Sequence, residues 1–162
     1  MTRMFRCFSR LFVSQMDSNK KSNKEEDYLL PIEYKDTVEF VPPITYGKVI
    51  KVYDGDTITV ASRLTPEIPT IYRFHVRLNG IDTPEIKGSN PHEKELAIQA
   101  RNSLTKLIMG KIVHLKNNKV EKYGRILSDV YLNELHVNKW LIDNKYAVEY
   151  SGGTKQRPEE WL

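Results

Sequence analysis

Acidic and basic side chains of the kinds that perform chemistry cluster in four short stretches of the sequence. The stretches are Asp54-Gly55-Asp56-Thr57, Arg77, Asp82-Thr83-Pro84-Glu85 and Lys122-Tyr123-Gly124-Arg125. Taken singly, each has an ordinary explanation, since Asp-Gly is a common hairpin turn and an arginine on a strand usually faces solvent. Together they supply carboxylates and guanidiniums from separate parts of the chain. That combination is typical of a site that binds a cation beside a phosphate.

Asp56 and Asp82 are the residues that could hold a metal ion. They lie near the ends of different predicted strands, and they converge if those strand ends meet at one mouth of a barrel. Two carboxylates and a backbone carbonyl form a hard oxygen site, which favours calcium or magnesium over softer metals. Zinc is disfavoured because the four histidines are dispersed and Cys7 is the single cysteine. The stretch after Asp54 is also no EF-hand, since it lacks the required glycine and distal glutamate.

The remaining groups suit catalysis next to such a cation. Glu85 could orient or deprotonate a water molecule. Arg77 and Arg125 could neutralise the charge that builds on a phosphate, because a guanidinium donates two parallel hydrogen bonds where a lysine cannot. A phosphodiester is the substrate that uses the cation, the base and both arginines. On this interpretation the arginines bind substrate, and their removal should leave the fold intact.

Apolar periodicity predicts the elements that carry these residues. One face of a strand at residues 72–78 is apolar, and the other carries Arg73, His75 and Arg77. The full prediction is strands at 44–53, 57–60, 72–78, 112–115 and 126–132, a turn at Asn117-Asn118, and helices at 90–110 and around 137–144. Five short strands with a helix after the third predict an α+β fold, mainly β. The predicted architecture is an OB-fold, a five-stranded closed barrel with two to three helices.

Charge divides the chain at about residue 44. Residues 1–24 carry six bases and one acid, and residues 25–43 carry six acids and one base. The charges of the two segments cancel, so the net charge of +4 belongs to residues 44–162, where the apolar periodicity begins. We therefore predict a disordered tail at 1–43, basic and then acidic, followed by one domain at 44–162. A mildly basic domain suits a polyanionic partner without requiring one.

The first residues carry no secretory signal that we can identify. Arg3, Arg6 and Arg10 interrupt the apolar residues that a secretory core would need. An intracellular protein is the resulting prediction. Residues 1–16 could act as an organelle transit peptide, although a plain basic tail is the favoured interpretation. With no run of 18 apolar residues, a membrane-spanning helix is not expected.

The runs YDGDT, RLNGIDTPE and EKYGR occur in this order and resemble the staphylococcal nuclease (thermonuclease) family. The similarity covers about residues 44–150 and extends to the pattern of strands and helices. It implies an OB-type barrel and a monomeric enzyme that cleaves phosphodiester bonds of DNA and/or RNA with little sequence preference. It also implies calcium as the cofactor, with magnesium less favoured. Single-stranded nucleic acid, or a duplex that opens transiently, is the implied substrate.

The resemblance further assigns three groups of residues. The implied metal-binding group is Asp56, Asp82, the backbone carbonyl of Thr83, and Asp54 just behind them. The implied catalytic group is Arg77, Glu85 and Arg125, with Glu85 as general base. The implied nucleotide-contacting group is Lys122, Tyr123 and Tyr150. Tyr150 would stack on a base, which tolerates any base identity.

Two other classes of function stay open at this point. The same barrel occurs as a catalytically inactive module that binds nucleic acid or protein. Degenerate modules of that kind usually lose the metal carboxylates or the arginines, and this chain retains both, which favours an enzyme. The third class is an interaction protein that acts through the basic tail.

Overall fold

The computed structural model describes residues 26–88, 90–153 and 157–161. The segment predicted as a possible transit peptide, residues 1–16, lies outside them, as does Cys7. The described chain divides into residues 26–39 and residues 40–161. The first part forms two 3-10 helices, Asp27–Leu29 and Tyr34–Asp36, without buried side chains. The boundary predicted at residue 44 stays a prediction.

In residues 40–161, five longer strands and two helices account for most of the regular structure. The elements are β1 (Tyr46–Val52), β2 (Thr57–Arg63), β3 (Ile71–Leu78), β4 (Ile81–Asp82), α1 (Pro91–Ile108), β5 (Ile112–Val120), β6 (Ile126–Leu132), β7 (Leu135–His136), α2 (Val137–Asp143) and β8 (Val148–Glu149). The strands pair in the order β3-β2-β1-β5-β6, and a parallel pairing of β3 with β6 closes the barrel. The predicted five-stranded closed barrel with two helices is therefore confirmed.

Side chains that point into the barrel alternate with outward ones along the strands, as a period of two requires. The wholly buried aliphatic residues on its strands are Val49, Ile58, Val60, Val76, Leu78, Val113 and Val130. Helix α1 covers this core with Leu104 and Ile108. Its start agrees with the sequence, because the Asn90 side chain accepts hydrogen bonds from the backbone N–H groups of His92 and Glu93.

The turn predicted at Asn117-Asn118 is wrong. Strand β5 continues to Val120, and its pairing with β6 shifts register between Lys116 and Lys119. Asn117 lies at φ 55°, a left-handed conformation that asparagine tolerates, so the pair forms an irregularity inside the strand. The chain reverses later, where Gly124 (φ 76°) donates its N–H to the carbonyl of Glu121 at 2.7 Å.

Helix α2 is held to the barrel by a buried asparagine. The Asn138 side-chain oxygen accepts a hydrogen bond from the N–H of Val130 at 2.9 Å, and its amide donates to the carbonyl of Asn79 at 2.8 Å. These bonds join the helix to β6 and to the turn before β4. No helix in the described part of the chain is long and apolar enough to cross a membrane.

Candidate active site

A pocket of about 430 Å³ opens at one end of the barrel. Its lining includes all of the predicted site residues except Asp82: Asp54, Asp56, Arg77, Thr83, Glu85, Lys122, Tyr123, Arg125 and Tyr150. Asp82 is buried next to this pocket and contacts Arg77. The structure thus brings together side chains that are far apart in the sequence.

Strand pairing explains this convergence. Thr57, at the start of β2, pairs with Arg77 on β3, which places the arginine beside the turn that carries Asp56. Arg77 also pairs with Leu127 on β6, so the β5–β6 turn lies at the same end of the barrel. Pairing of β4 with β8 sets Asp82 opposite Val148, two residues before Tyr150.

Gly55 brings the first turn close to the loop after β4. A Cβ at this position would lie 2.9 Å from the Thr83 Cγ2 atom, closer than real contacts allow. Gly55 is therefore needed for the close packing of this turn and is more than a turn signal. Asp54 stabilises the same turn, because its side chain accepts a hydrogen bond from the N–H of Asp56 at 3.2 Å.

Arg77 joins the two candidate metal-binding carboxylates. Its NH1 nitrogen lies 2.6 Å from Asp56 Oδ2, and NH2 lies 3.3 Å from Asp82 Oδ1. The arginine is only 9% exposed, and both carboxylates are buried as well. Burial raises the pKa of Asp56 to about 6, although Arg77 opposes the change and Asp54 adds to it. Arg77 is therefore a structural partner of the acidic pair as well as a candidate phosphate ligand.

The donor set at this point fits a hard divalent cation. Asp56 and Asp82 meet at one guanidinium, and Thr83 lies beside them, in contact distance of the Gly55 turn. Oxygen donors of this kind bind calcium or magnesium in preference to zinc. Among the described residues, no three His, Cys, Asp or Glu side chains form a metal-binding group. A cation here would rely on two carboxylates, backbone oxygen and water.

Arg125 faces the pocket from the β5–β6 turn. Its Nε atom donates to Glu121 Oε1 at 2.5 Å, and its NH1 atom lies 3.4 Å from the Thr57 hydroxyl. The hydrogen bond to Glu121 is the main reason that the pKa of Arg125 is raised. Glu121 was not singled out from the sequence, because a glutamate near a turn gives no signal that distinguishes it from a solvated one.

The predicted nucleotide-contacting residues lie around the pocket rim. Tyr123 is 72% exposed, and the Lys122 ammonium lies 4.9 Å from its ring centre. Tyr150 stands near the guanidinium of Arg77, which lies 5.9 Å from the ring centre. Tyr150 is partly buried, whereas Tyr123 is exposed, and both rings have a cation close by.

Glu85 lines the pocket on a loop that a buried glutamate holds in place. Glu93, in the first turn of α1, has no exposed surface, and its Oε1 atom accepts a hydrogen bond from the N–H of Glu85 at 3.2 Å. Gly88 leaves room for the same carboxylate, since a Cβ there would lie 3.0 Å from Glu93 Oε2. The sequence predictions missed Glu93. Its position three residues after the Asn90 cap is the signal that could have indicated a structural role.

Comparisons with known proteins agree with this architecture. The family model described as "Staphylococcal nuclease homologue" matches residues 75–160. A probable staphylococcal-like nuclease of Oryza sativa subsp. japonica is 34% identical over 87 residues, covering 54% of this chain and 21% of that protein. An uncharacterized protein of Methanocaldococcus jannaschii is 31% identical over 138 residues, covering 70% of this chain and 63% of that protein.

An uncharacterized endonuclease of Escherichia coli is 30% identical over 98 residues, which cover 60% of this chain and 56% of that protein. The chain thus spans less than two thirds of the length of each of these relatives. The family match itself covers more than half of the chain and contains Arg77, Asp82, Glu85 and Arg125. With the closed barrel and the composition of the pocket, it establishes that the chain belongs to the staphylococcal nuclease family.

Proposed function

We propose that this protein is a nuclease that hydrolyses phosphodiester bonds of DNA and/or RNA with calcium as its metal. The observation that carries the proposal is the convergence of Arg77, Arg125 and Glu85 on one pocket that adjoins two buried carboxylates. A module that only binds nucleic acid needs cations, but it has no use for buried acids beside them, since these repel phosphate.

Asp56, Asp82 and the backbone carbonyl of Thr83 are the groups that would hold the calcium ion. When bound, the cation would supply positive charge to a phosphate oxygen and so lower the barrier to attack. Without it, the acidic pair and Arg77 carry a net negative charge when both acids are ionised. A phosphate would be repelled under that condition, which is the physical reason to expect metal dependence.

The chemistry proposed for the side chains is proton transfer and charge stabilisation. Glu85 takes a proton from the attacking water as the oxygen–phosphorus bond forms, and the bond to the leaving oxygen breaks. Arg77 and Arg125 stabilise the negative charge on the phosphate oxygens. Arg77 uses one N–H on each carboxylate, so its other N–H groups are the ones that would serve the phosphate. Arg125 also stabilises the negative charge on the leaving oxygen, which then takes up a proton from solvent water.

Low sequence preference is supported by the groups at the rim. The Tyr123 and Tyr150 rings could stack on any base, because every base has an aromatic face. Lys122 would add a contact to the phosphate end of the nucleotide. Stacking favours bases that are already unpaired, so we propose that single-stranded regions are cleaved in preference to stable duplex.

A digestion assay tests the proposal directly. Purified protein is incubated with plasmid DNA and with RNA in calcium, in magnesium or in a chelator. We expect rapid cleavage in calcium, slower cleavage in magnesium and none in the chelator, with Asp56→Asn as the metal-site control. Cleavage that persists in the chelator would contradict metal dependence. Binding of nucleic acid without any cleavage would favour the inactive module instead.

Glu85→Gln should lower the cleavage rate by about 10²–10⁴, because the amide cannot accept the proton from water. The substitution keeps the shape of the side chain, so oligonucleotide affinity in the absence of metal should not fall. Single-turnover cleavage and fluorescence anisotropy measure the two quantities. Glu95→Gln, at an exposed position on α1, is the matched control. A loss of less than about tenfold would remove Glu85 from the proposed base role.

A further inference from the structure

Basic side chains lie on both strands that flank β2 on the outside of the barrel, and we call this surface the basic trough. Its floor, between them, is the outward face of β2, where the side chains are small: Thr57 and Thr59, which are buried, and Ala61, which is partly exposed. One wall is formed by Lys48 and Lys51 on β1, and the other by Arg73 and His75 on β3. All four wall residues are exposed.

The strand register places these walls opposite one another. Ala61 pairs with Lys48 on one side and with Arg73 on the other. Thr59 likewise pairs with Lys51 and with His75, and its hydroxyl lies 3.3 Å from the His75 ring nitrogen Nδ1. Neighbouring strands are about 4.8 Å apart, so the backbones of β1 and β3 are separated by about 10 Å. A single sugar–phosphate backbone that lies over β2 can therefore meet basic side chains from both sides.

A β-bulge is needed to give β1 two lysines on this face. Strict alternation would point Lys48 and Lys51 to opposite sides of the sheet. The register shift between Val49 and Lys51 inserts one extra residue, Ile50, and turns Lys51 to the outside next to Lys48. The bulge therefore places Lys51 opposite Thr59 on the trough wall, at a position that Ile50 would take in a regular ladder.

The strands that form the trough supply no negative charge of their own. The three strands, YGKVIKV, TITVASR and IYRFHVRL, contain no Asp or Glu. Within the described residues, Lys48 and Arg73 form no ion pair. Clustered cations without counter-charges destabilise a folded chain by mutual repulsion, whereas a polyanion that lies between them removes that repulsion.

The trough leads into the candidate active site. Its floor ends at Thr57, whose hydroxyl lies 3.4 Å from Arg125 and which pairs with Arg77. Arg73, His75 and Arg77 therefore follow one another on the same face of β3, at intervals of about 7 Å. At the opposite end, Arg63 is the next outward residue of β2 after Ala61, and it is exposed.

We propose that the basic trough binds the phosphates of the nucleic acid strand that extends beyond the cleaved linkage. The inference rests on the proposed nuclease function and adds an extended binding track to it. A linear series of phosphates is the ligand that matches two parallel rows of exposed basic side chains, Lys48 and Lys51 on one strand and Arg73 and His75 on the other.

The test compares a long and a short substrate with the double variant Lys48→Gln/Arg73→Gln. Anisotropy with a labelled single strand of about 20 nucleotides, in chelator, should show affinity lowered roughly tenfold at low salt. The slope of log affinity against log salt should become shallower by about 1.4, which corresponds to two lost phosphate contacts on a single strand. A dinucleotide is too short to reach the walls. The double variant should therefore cleave a dinucleotide, in calcium, at a rate within about twofold of the wild-type rate.

The matched control is Lys94→Gln/Lys106→Gln, which removes two exposed charges from α1. Equal affinity and equal salt slopes for the two double variants would overturn the proposal. Lys51→Gln provides a second measurement, with an expected slope change of about 0.7. If the wild-type protein cleaves nothing while the slopes still differ as expected, the nuclease function fails and the basic trough stands.

Discussion

Replacing Arg125 with alanine is expected to lower the rate of phosphodiester cleavage by about 10³–10⁵, while the barrel stays folded. The rate falls because the guanidinium that faces the pocket would no longer stabilise charge on the phosphate. We expect a smaller effect on stability than on rate, because Arg125 lies on a turn with its side chain 29% exposed, although Glu121, 16% exposed, loses its cationic partner. Arg125→Lys should also be strongly impaired, since an ammonium cannot donate the paired hydrogen bonds.

Single-turnover cleavage of single-stranded DNA in calcium measures this effect, and thermal unfolding monitors the fold. Arg101→Ala is the matched control, because it removes a partly exposed arginine of α1 whose side chain, among the described residues, hydrogen-bonds to the neighbouring Asn102 side chain. Its cleavage rate should equal that of the wild type. An Arg125→Ala rate within about tenfold of the wild type would exclude the arginine from the chemistry.

Replacing Arg77 with alanine is expected to impair both activity and folding. The loss of rate should again be about 10³–10⁵. In addition, the free energy of unfolding should fall by about 3–5 kcal/mol, because Asp56 and Asp82 would stay buried without their common cationic partner. The sequence led us to expect an intact fold for this substitution, and the burial of Arg77 between two acids is the reason that this expectation changes.

Urea unfolding in chelator measures the stability effect. A second variant, Arg77→Ala/Asp56→Asn, tests its cause, since it removes the charge of one of the two carboxylates that Arg77 neutralises and should recover part of the lost stability. Calcium should also stabilise Arg77→Ala more than it stabilises the double variant, because the double variant has lost a proposed ligand. If Arg77→Ala unfolds at the wild-type urea concentration, Arg77 is not needed to neutralise the acidic pair.

Much of the scaffold could be predicted because its signals are local. The alternation in residues 72–78 identified β3 and the common face of its three bases, and the Asn90 cap and the apolar spacing after it identified α1. The prediction of a turn at Asn117-Asn118 was wrong because it, too, used only a local signal. An asparagine pair reports only that a left-handed conformation is tolerated, and such a conformation occurs in a bulge as well as in a turn.

The residue types of the candidate site were also evident from the sequence, whereas their partners were not. The motifs pointed to Asp56, Arg77 and Asp82, yet nothing in their spacing showed that one guanidinium bridges both carboxylates. Glu93 supports the loop of Glu85 by a hydrogen bond that only the packing of α1 against that loop creates.

The sequence by itself indicated the five longer strands, the first helix and the chemical groups available to this protein, because periodicity and capping act over a few neighbouring residues. It did not give the end of β5 or the short strands β4, β7 and β8. Closure of the barrel decided which of those groups meet, which are buried and which pKa values change. The folded structure likewise decided the β1 bulge that turns Lys51 outward. These properties depend on contacts between segments far apart in the chain, and only the folded structure specifies such contacts.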